Sequence, residues 1–222
     1  MAESGDWRDA GFVAHYNALY ALSEAEVRGY VERLDLRGTD VLVDFGCGDG
    51  FFLALAAPRV SRAVGVDSSP RQVELARRRL GQFSHVEVVS TTFLEFDAAG
   101  RTFTKAFSRK ALHHLTDPDK ERFLMRLAPN FAPGAVFLLE DAMFPFDRKD
   151  LDSRLPQVLK EAAAYFGPDW EAKRGDILHS LREEFPTGQD FWAEAFRKAG
   201  FCVAERWQRT CFLGGLLARK EG

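Results

Sequence analysis

The sequence predicts an α/β protein built on a doubly wound, mostly parallel sheet, and three observations carry that expectation. Short apolar runs alternate with helical patterns from Val41 to Asp141, the rhythm of β-α-β units. A glycine-rich turn, Gly46 to Gly50, directly follows the first apolar run. The chain then closes on two strand-like runs joined only by Gln208-Arg209-Thr210, a connection short enough for an antiparallel pair alone.

The elements follow in order. Residues from about Ala14 to Leu34 repeat apolar side chains at helical spacing, through Leu19, Leu22, Val27, Tyr30, Val31 and Leu34. Val41 to Phe45 is a buried strand. Phe51 to Ala57 is a helix stopped by Pro58, and Ala63 to Asp67 a second strand. Ser69, Pro70 and Gly81 supply the cap, first-turn proline and terminal glycine of the next helix. His85 to Val89 is the third strand, and Lys105 to Ser108 opens the fourth. Asp117 and Pro118 begin a helix to about Ala128, and Ala135 to Leu139 is the fifth strand, ending at Glu140-Asp141.

Beyond Asp141 two helical patterns occur without a strand. A helix over Thr187 to Ala199 follows, with Asp190 completing a capping box. Phe201 to Trp207 and Cys211 to Ala218 are the sixth and seventh strands. The length of 222 residues suits one domain over 1–222, with an N-terminal helical segment over 1–37 and a helical insertion over 142–187.

Composition narrows the function. Thirty Lys and Arg against 33 Asp and Glu give no basic field to draw a nucleic acid backbone, so no nucleic acid partner is expected. Cys47, Cys202 and Cys211 contain no Cys-x-x-Cys pair, which argues against a disulfide framework and a cysteine metal site, and no metal is expected. Met1 to Asp9 carry charges and no apolar run, and no stretch approaches the length of a membrane span. The expected compartment is the cytoplasm.

The loop Asp44-Phe45-Gly46-Cys47-Gly48-Asp49-Gly50 carries the chemistry. Glycines allow the tight turn and the close approach of backbone to a ligand. A dinucleotide site favours G-x-G-x-x-G, which aims a helix N-terminus at a pyrophosphate. Here the spacing is G-x-G-x-G behind an acid, which suits a ligand with an α-amino group and no phosphate, S-adenosylmethionine (SAM). Asp67 ends the second strand, where an acid accepts hydrogen bonds from ribose hydroxyls. A structural glycine turn with a capping carboxylate is the plainer alternative for each residue alone. Cys47 reads as a small side chain beside the turn, not as a nucleophile.

With these motifs the chain resembles the class I SAM-dependent methyltransferases, over roughly residues 38–141 and 188–219. Val41 to Gly50 is similar to the family's first motif, and Val64 to Ser68 to its ribose-binding motif. FTKAFSRKALHHL, from Phe103 to Leu115, is similar to the fourth-strand segment, and Leu127 to Asp141 to the stretch around the fifth strand. The resemblance implies a Rossmann-like sheet of seven strands with an antiparallel last strand. It implies SAM as cofactor, with S-adenosylhomocysteine as product, held by Asp44, Gly46, Cys47, Gly48, Gly50, Asp67, Ser68 and Ser108. Relatives often place an acid after the third strand, where this chain has Thr92, and Asp where it has Thr104. The Thr92 hydroxyl accepts a hydrogen bond without charge assistance, and Phe93 is placed to cover the adenine.

Displacement at a sulfonium methyl depends chiefly on positioning, and a general base is required only when the acceptor must lose its proton early. His113 and His114 are the candidates for proton transfer. Tyr16, His114, Glu140 and Tyr165 are the candidates to contact the acceptor, with packing the plainer role for Tyr16 and Tyr20. The insertion is expected to lie over the carboxyl ends of the strands as a lid. The leading reading is methylation of a small-molecule acceptor. The alternatives are a protein or nucleic acid acceptor, SAM binding without turnover, and a nicotinamide-dependent oxidoreductase.

Overall fold

A computed structural model describes Trp7 and residues 9–222. Five strands lie parallel in the heart of the sheet: β1 (Val41–Phe45), β2 (Arg62–Asp67), β3 (Val86–Ser90), β4 (Phe103–Arg109) and β5 (Phe131–Phe144). The order is β3-β2-β1-β4-β5-β8-β7, with β8 (Leu213–Lys220) antiparallel to both β5 and β7 (Phe201–Thr210). Strand order therefore reverses between β1 and β4, and the loops after these strands diverge to leave a crevice at their carboxyl ends.

The strands alternate sides as a pleated sheet demands. Val43 and Phe45 of β1 pack with Phe123 and Phe196 on one face, beneath α5 (Asp117–Leu127) and α8 (Gln189–Lys198). Leu42 packs on the other face with Val27 and Leu53, beneath α2 (Glu24–Arg33) and α3 (Phe51–Ala56). Burying both faces explains why these strands are apolar throughout and not alternating.

Four expectations are corrected. The N-terminal segment is two helices, α1 (Ala10–Leu19) and α2, broken at Ser23. Ser23 accepts from the Glu26 amide while the Glu26 carboxylate accepts from the Ser23 amide, a reciprocal cap that restarts the helix. The sheet has eight strands, because Thr187–Gly188 forms β6 beside Met143 and Phe144. The next helix accordingly starts at Gln189 without a capping box: the Thr187 hydroxyl donates to Asp117 Oδ2 at 3.1 Å, and Asp190 pairs with Arg206 at 2.6 Å. The fifth strand also runs past Asp141 to Phe144, since β8 pairs with it through Ala142.

The insertion holds α6 (Leu151–Phe166) and α7 (Trp170–Glu183). Their apolar side chains, among them Leu151, Val158, Ala162 and Leu181, gather on Phe144, Phe212 and Leu213, at the carboxyl end of β5 and the turn into β8. No helix among the described residues is long and apolar enough to cross a membrane.

Candidate functional site: two cavities sharing one wall

The first cavity lies at the reversal of strand order, with a volume of about 750 Å³. Its floor is the glycine loop. The Gly46 and Cys47 amides donate to the Val66 carbonyl at 2.8 and 3.1 Å, which folds the loop back over β2. Gly46 has φ +80°, and a Cβ there would stand 2.3 Å from the Ala111 Cβ, so both backbone and space require glycine. The Cys47 side chain lodges against Gly65, and burial pushes its thiol well above the ordinary range. It is packing, not a nucleophile.

Three carboxylates line this cavity: Asp49, paired with Arg79 at 2.7 Å, and Asp44 and Asp67, which have no ion pair among the described residues. Asp67 accepts from the Gly48 and Ser69 amides at 2.9 Å each, one on each oxygen, leaving a lone pair on each for a further donor. Asp44 is 2% exposed and has no hydrogen-bond partner among the described residues. Burial, then the neighbouring Asp67, raise its pKa well above the carboxylate range. An acid kept at such cost, open only to a cavity, fits a ligand that brings a cation, as the α-ammonium group of SAM does. Ser68, Thr92 and Phe93 also line this space, Phe93 with its ring edge-on to Phe123. Thr92 donates to Glu95 Oε2 at 2.8 Å, which leaves its oxygen free to accept.

Four expected site residues lie elsewhere. Ser108 is fully buried and donates to the Phe45 carbonyl at 2.8 Å, so its hydroxyl is committed between β4 and β1. Gly50 starts α3 and packs on Ala76 and Leu80. Glu140 is 0% exposed, bound by Tyr30, by Trp207 Nε1 at 3.1 Å and by Arg209 Nε at 2.7 Å. Tyr165 is 46% exposed and packs on Phe166 and Phe212, on the outside of the insertion. Thr104 bonds Asp40 Oδ1 at 2.7 Å, at the other end of its strand, where it stitches β4 to the start of β1.

The second cavity, about 540 Å³, lies between the sheet edge and the insertion. Aromatic rings dominate its walls: Phe12 from α1, Phe166 and Phe185 from the insertion, and Phe212 from the turn into β8. Trp7, Tyr16, Tyr20, Lys110 and His114 line both cavities and form the wall between them. Trp7 and Tyr16 meet edge-on at 4.8 Å, and Tyr16 and Tyr20 lie 4.7 Å apart. Burial first of all lifts the Tyr16 hydroxyl to about 12. The Asn17 and Gln72 amides bond reciprocally at 3.0 and 2.8 Å, and Ser69 Oγ donates to the Trp7 carbonyl at 2.6 Å; together they hold this wall on α4 (Pro70–Leu80).

His113 is not free to accept a proton. Its Nδ1 bonds Asp141, and its Nε2 faces Glu184 Oε2 at 3.2 Å. Burial works against the imidazolium, but the charges and hydrogen bonds of Asp141 and Glu184 overcome it and raise the pKa to about 9. His114 Nδ1 faces Glu184 Oε1 at 3.2 Å. His113, His114 and Glu184 offer ligand atoms within 4.8 Å of one another, a spacing a divalent cation also uses; here the rings and the carboxylate satisfy each other.

Glu184 and Lys110 were absent from the expectations. Lys110 sits in FSRKALHHL, three residues before the histidine pair, where proximity to the motif was the available signal. Glu184 had none, because the fold alone brings it to the sheet edge. It arrives by anchored backbone: Arg148 Nη2 donates to the Glu184 carbonyl at 2.7 Å, and the Phe185 amide to the His113 carbonyl at 2.9 Å.

A crevice at the reversal of a doubly wound sheet, floored by a glycine loop and lined by Asp44 and Asp67, is the place where such folds bind nucleoside cofactors. Comparison with known proteins agrees. Residues 42–134 match the family model described as a methyltransferase domain. An uncharacterised methyltransferase of Geobacillus kaustophilus is 26% identical over 99% of this chain and 94% of its own. The Haloferax volcanii putative methyltransferase solved with the activator Trm112 superposes with TM-score 0.71 at 17% identity, over 99% of this chain and 98% of that one. The magnesium protoporphyrin IX methyltransferase of Synechocystis, solved with S-adenosylhomocysteine, gives 0.68 at 14% identity over 98% of both. Residues 42–134 thus match a methyltransferase domain, and the chain has the fold of the SAM-dependent methyltransferases.

Proposed function

We propose that the protein methylates a small organic acceptor held in the second cavity, with the insertion as its lid. The supporting observation is the shared wall: a cofactor cavity and an aromatic cavity of drug-like size separated only by Trp7, Tyr16, Tyr20, Lys110 and His114. Bound in the first cavity, SAM supplies an electrophilic methyl carbon activated by a sulfonium. Asp44 and Asp67 bind and orient it, Phe93 covers its base, and Thr92 offers a neutral acceptor oxygen.

The aromatic rings of the second cavity suit a flat, largely apolar acceptor. α6 and α7 exclude water above it, which raises the benefit of correct positioning. Three free cysteines, Cys47, Cys202 and Cys211, suit a reducing compartment and support action in the cytoplasm.

The test begins with calorimetric titration by SAM and S-adenosylhomocysteine, beside Asp67→Ala. Saturable binding, strongly weakened by the substitution, is expected. A screen of small aromatic acceptors that reads S-adenosylhomocysteine release follows, with Phe166→Ala and Phe212→Ala changing the acceptor range. Turnover only with protein or RNA fractions, unaffected by these substitutions, would overturn the small-acceptor reading.

A further inference from the structure

The wall between the cavities contains one amine. Lys110 follows β4 directly, lines both cavities, and has no hydrogen bond or ion pair from its Nζ among the described residues. Its nearest counterpart is a ring: Nζ lies 5.1 Å from the centroid of Tyr20. The residue adopts φ +49°, a left-handed conformation costing a side-chain-bearing residue roughly 1 kcal/mol. Its amide donates to the Glu140 carbonyl at 2.9 Å, which fixes that turn against β5. A strained backbone held by the neighbouring strand thus delivers an unpaired amine to the boundary between cofactor and acceptor.

We propose that Lys110 is the proton acceptor of the reaction, taking the proton that an O–H or N–H acceptor loses as it is methylated. This assignment rests on the second cavity being the acceptor site. The balance is complete. The acceptor heteroatom uses its lone pair to bond the methyl carbon, the carbon–sulfur pair remains on sulfur, and the acceptor's proton moves to Lys110 Nζ. One positive charge is present before and after: it leaves the sulfonium and appears on the lysine. The two cations are never required together, so cofactor binding favours the neutral amine and methyl transfer favours its protonation.

The surroundings act in the same sense. Burial, and then Arg109 beside it, bring the Lys110 ammonium down from 10.5 to about 7. Glu140 and Asp141 on β5 oppose this, and Lys173 on α7 adds to it. Glu140 and Asp141, which oppose the shift, and Asp176 of α7 are engaged elsewhere: Glu140 by Tyr30 and Arg209, Asp141 by His113, and Asp176 by the Tyr20 hydroxyl at 3.2 Å. The histidines that would otherwise compete for the role are held by Glu184.

The experiment is 13C NMR of lysine ε-carbons across pH in the full chain, with the Lys110 resonance assigned by Lys110→Arg. A midpoint near pH 7 is expected. Adding SAM is expected to lower that midpoint by about one unit relative to S-adenosylhomocysteine, which lacks the sulfonium. Calorimetry should show Lys110→Arg binding S-adenosylhomocysteine like the wild type. A Lys110 midpoint near 10.5, or identical midpoints with the two ligands, would overturn the assignment. Failure of every small acceptor, with the titration as expected, would instead fall on the reading of the second cavity.

Discussion

His113 Nε2 and Glu184 Oε2 face each other at 3.2 Å, joining the turn after β4 to the residue that ends α7. Glu184 also faces His114 at 3.2 Å, so one carboxylate clasps the insertion to both histidines at the cavity edge. Burial opposes its charge, but the hydrogen bonds and charges of the two histidines hold the carboxyl far below its ordinary range. Replacing Glu184 by Gln removes the charge at nearly constant shape. The expected outcome is faster proteolytic cleavage within residues 145–186 and, in urea unfolding at pH 7, a loss of roughly 1–3 kcal/mol as the buried His113 imidazolium loses one of its two partners. Cleavage at the wild-type rate would show that apolar packing alone holds the insertion.

The pH dependence of stability contains two opposed contributions. The His113 pKa is raised in the fold to about 9 from 6.5, so its contribution, roughly 3 kcal/mol, is complete below pH 6.5 and lost as pH rises through 9. The Lys110 pKa is depressed to about 7 from 10.5, so the fold bears the full penalty below pH 7, where the buried amine is protonated, and stability is regained between pH 7 and 10.5. The wild type should therefore change little from pH 6.5 to 9.5. Chemical unfolding of His113→Asn should gain stability with rising pH over that range, and Lys110→Met should lose it. Parallel curves for all three proteins would contradict both assignments.

Asp44 sets binding against stability. The unliganded fold bears the burial of its carboxyl beside Asp67. Asp44→Asn should raise the melting temperature of the free protein and weaken SAM binding roughly tenfold to hundredfold, the loss of a charge-assisted hydrogen bond. Differential scanning calorimetry and titration calorimetry on one preparation check both signs. A variant that is less stable and binds normally would remove Asp44 from the cofactor site.

The loop glycines are not equivalent. At Gly46 an added methyl group meets the Ala111 Cβ at 2.3 Å as well as a left-handed backbone, whereas at Gly48, with φ +54°, the nearest atom is Gln72 Nε2 at 4.0 Å. Gly48→Ala should cost about 1 kcal/mol, the backbone preference alone. Gly46→Ala should cost at least about twice that and displace the turn that bears Lys110. Urea midpoints of the two variants provide the comparison.

Glu140 belongs to the architecture. Its carboxylate joins Tyr30 of α2 to Trp207 and Arg209 of β7 through the centre of β5. Glu140→Ala leaves the Arg109 and Arg209 charges without their partner and should destabilise by roughly 3 kcal/mol. Its effect on SAM binding, measured where the variant is folded, should be small.

The sequence by itself determined the parallel core of the sheet and its glycine loop, because both are written in local chemistry. A strand buried on both faces must be apolar, a tight turn with positive φ favours glycine, and Ser69-Pro70 can start a helix wherever it lies; at α5 the cap is Thr116, one residue before the expected Asp117. The Ser23–Glu26 cap was equally local and was legible in Ser-x-x-Glu, yet apolar spacing across it concealed the break. The tertiary structure alone decided which polar groups reach a cavity. Ser108 and Glu140 stand at strand ends by sequence, but their hydroxyl and carboxylate are consumed by Phe45 and by Tyr30, Trp207 and Arg209. Glu184 comes from a distant insertion to take up both histidines, and with the acids around it engaged, Lys110 is left as the unpaired amine. Hydrogen-bond partners and charge neighbours are distributed across the chain by packing, and a side chain's protonation state follows from that distribution.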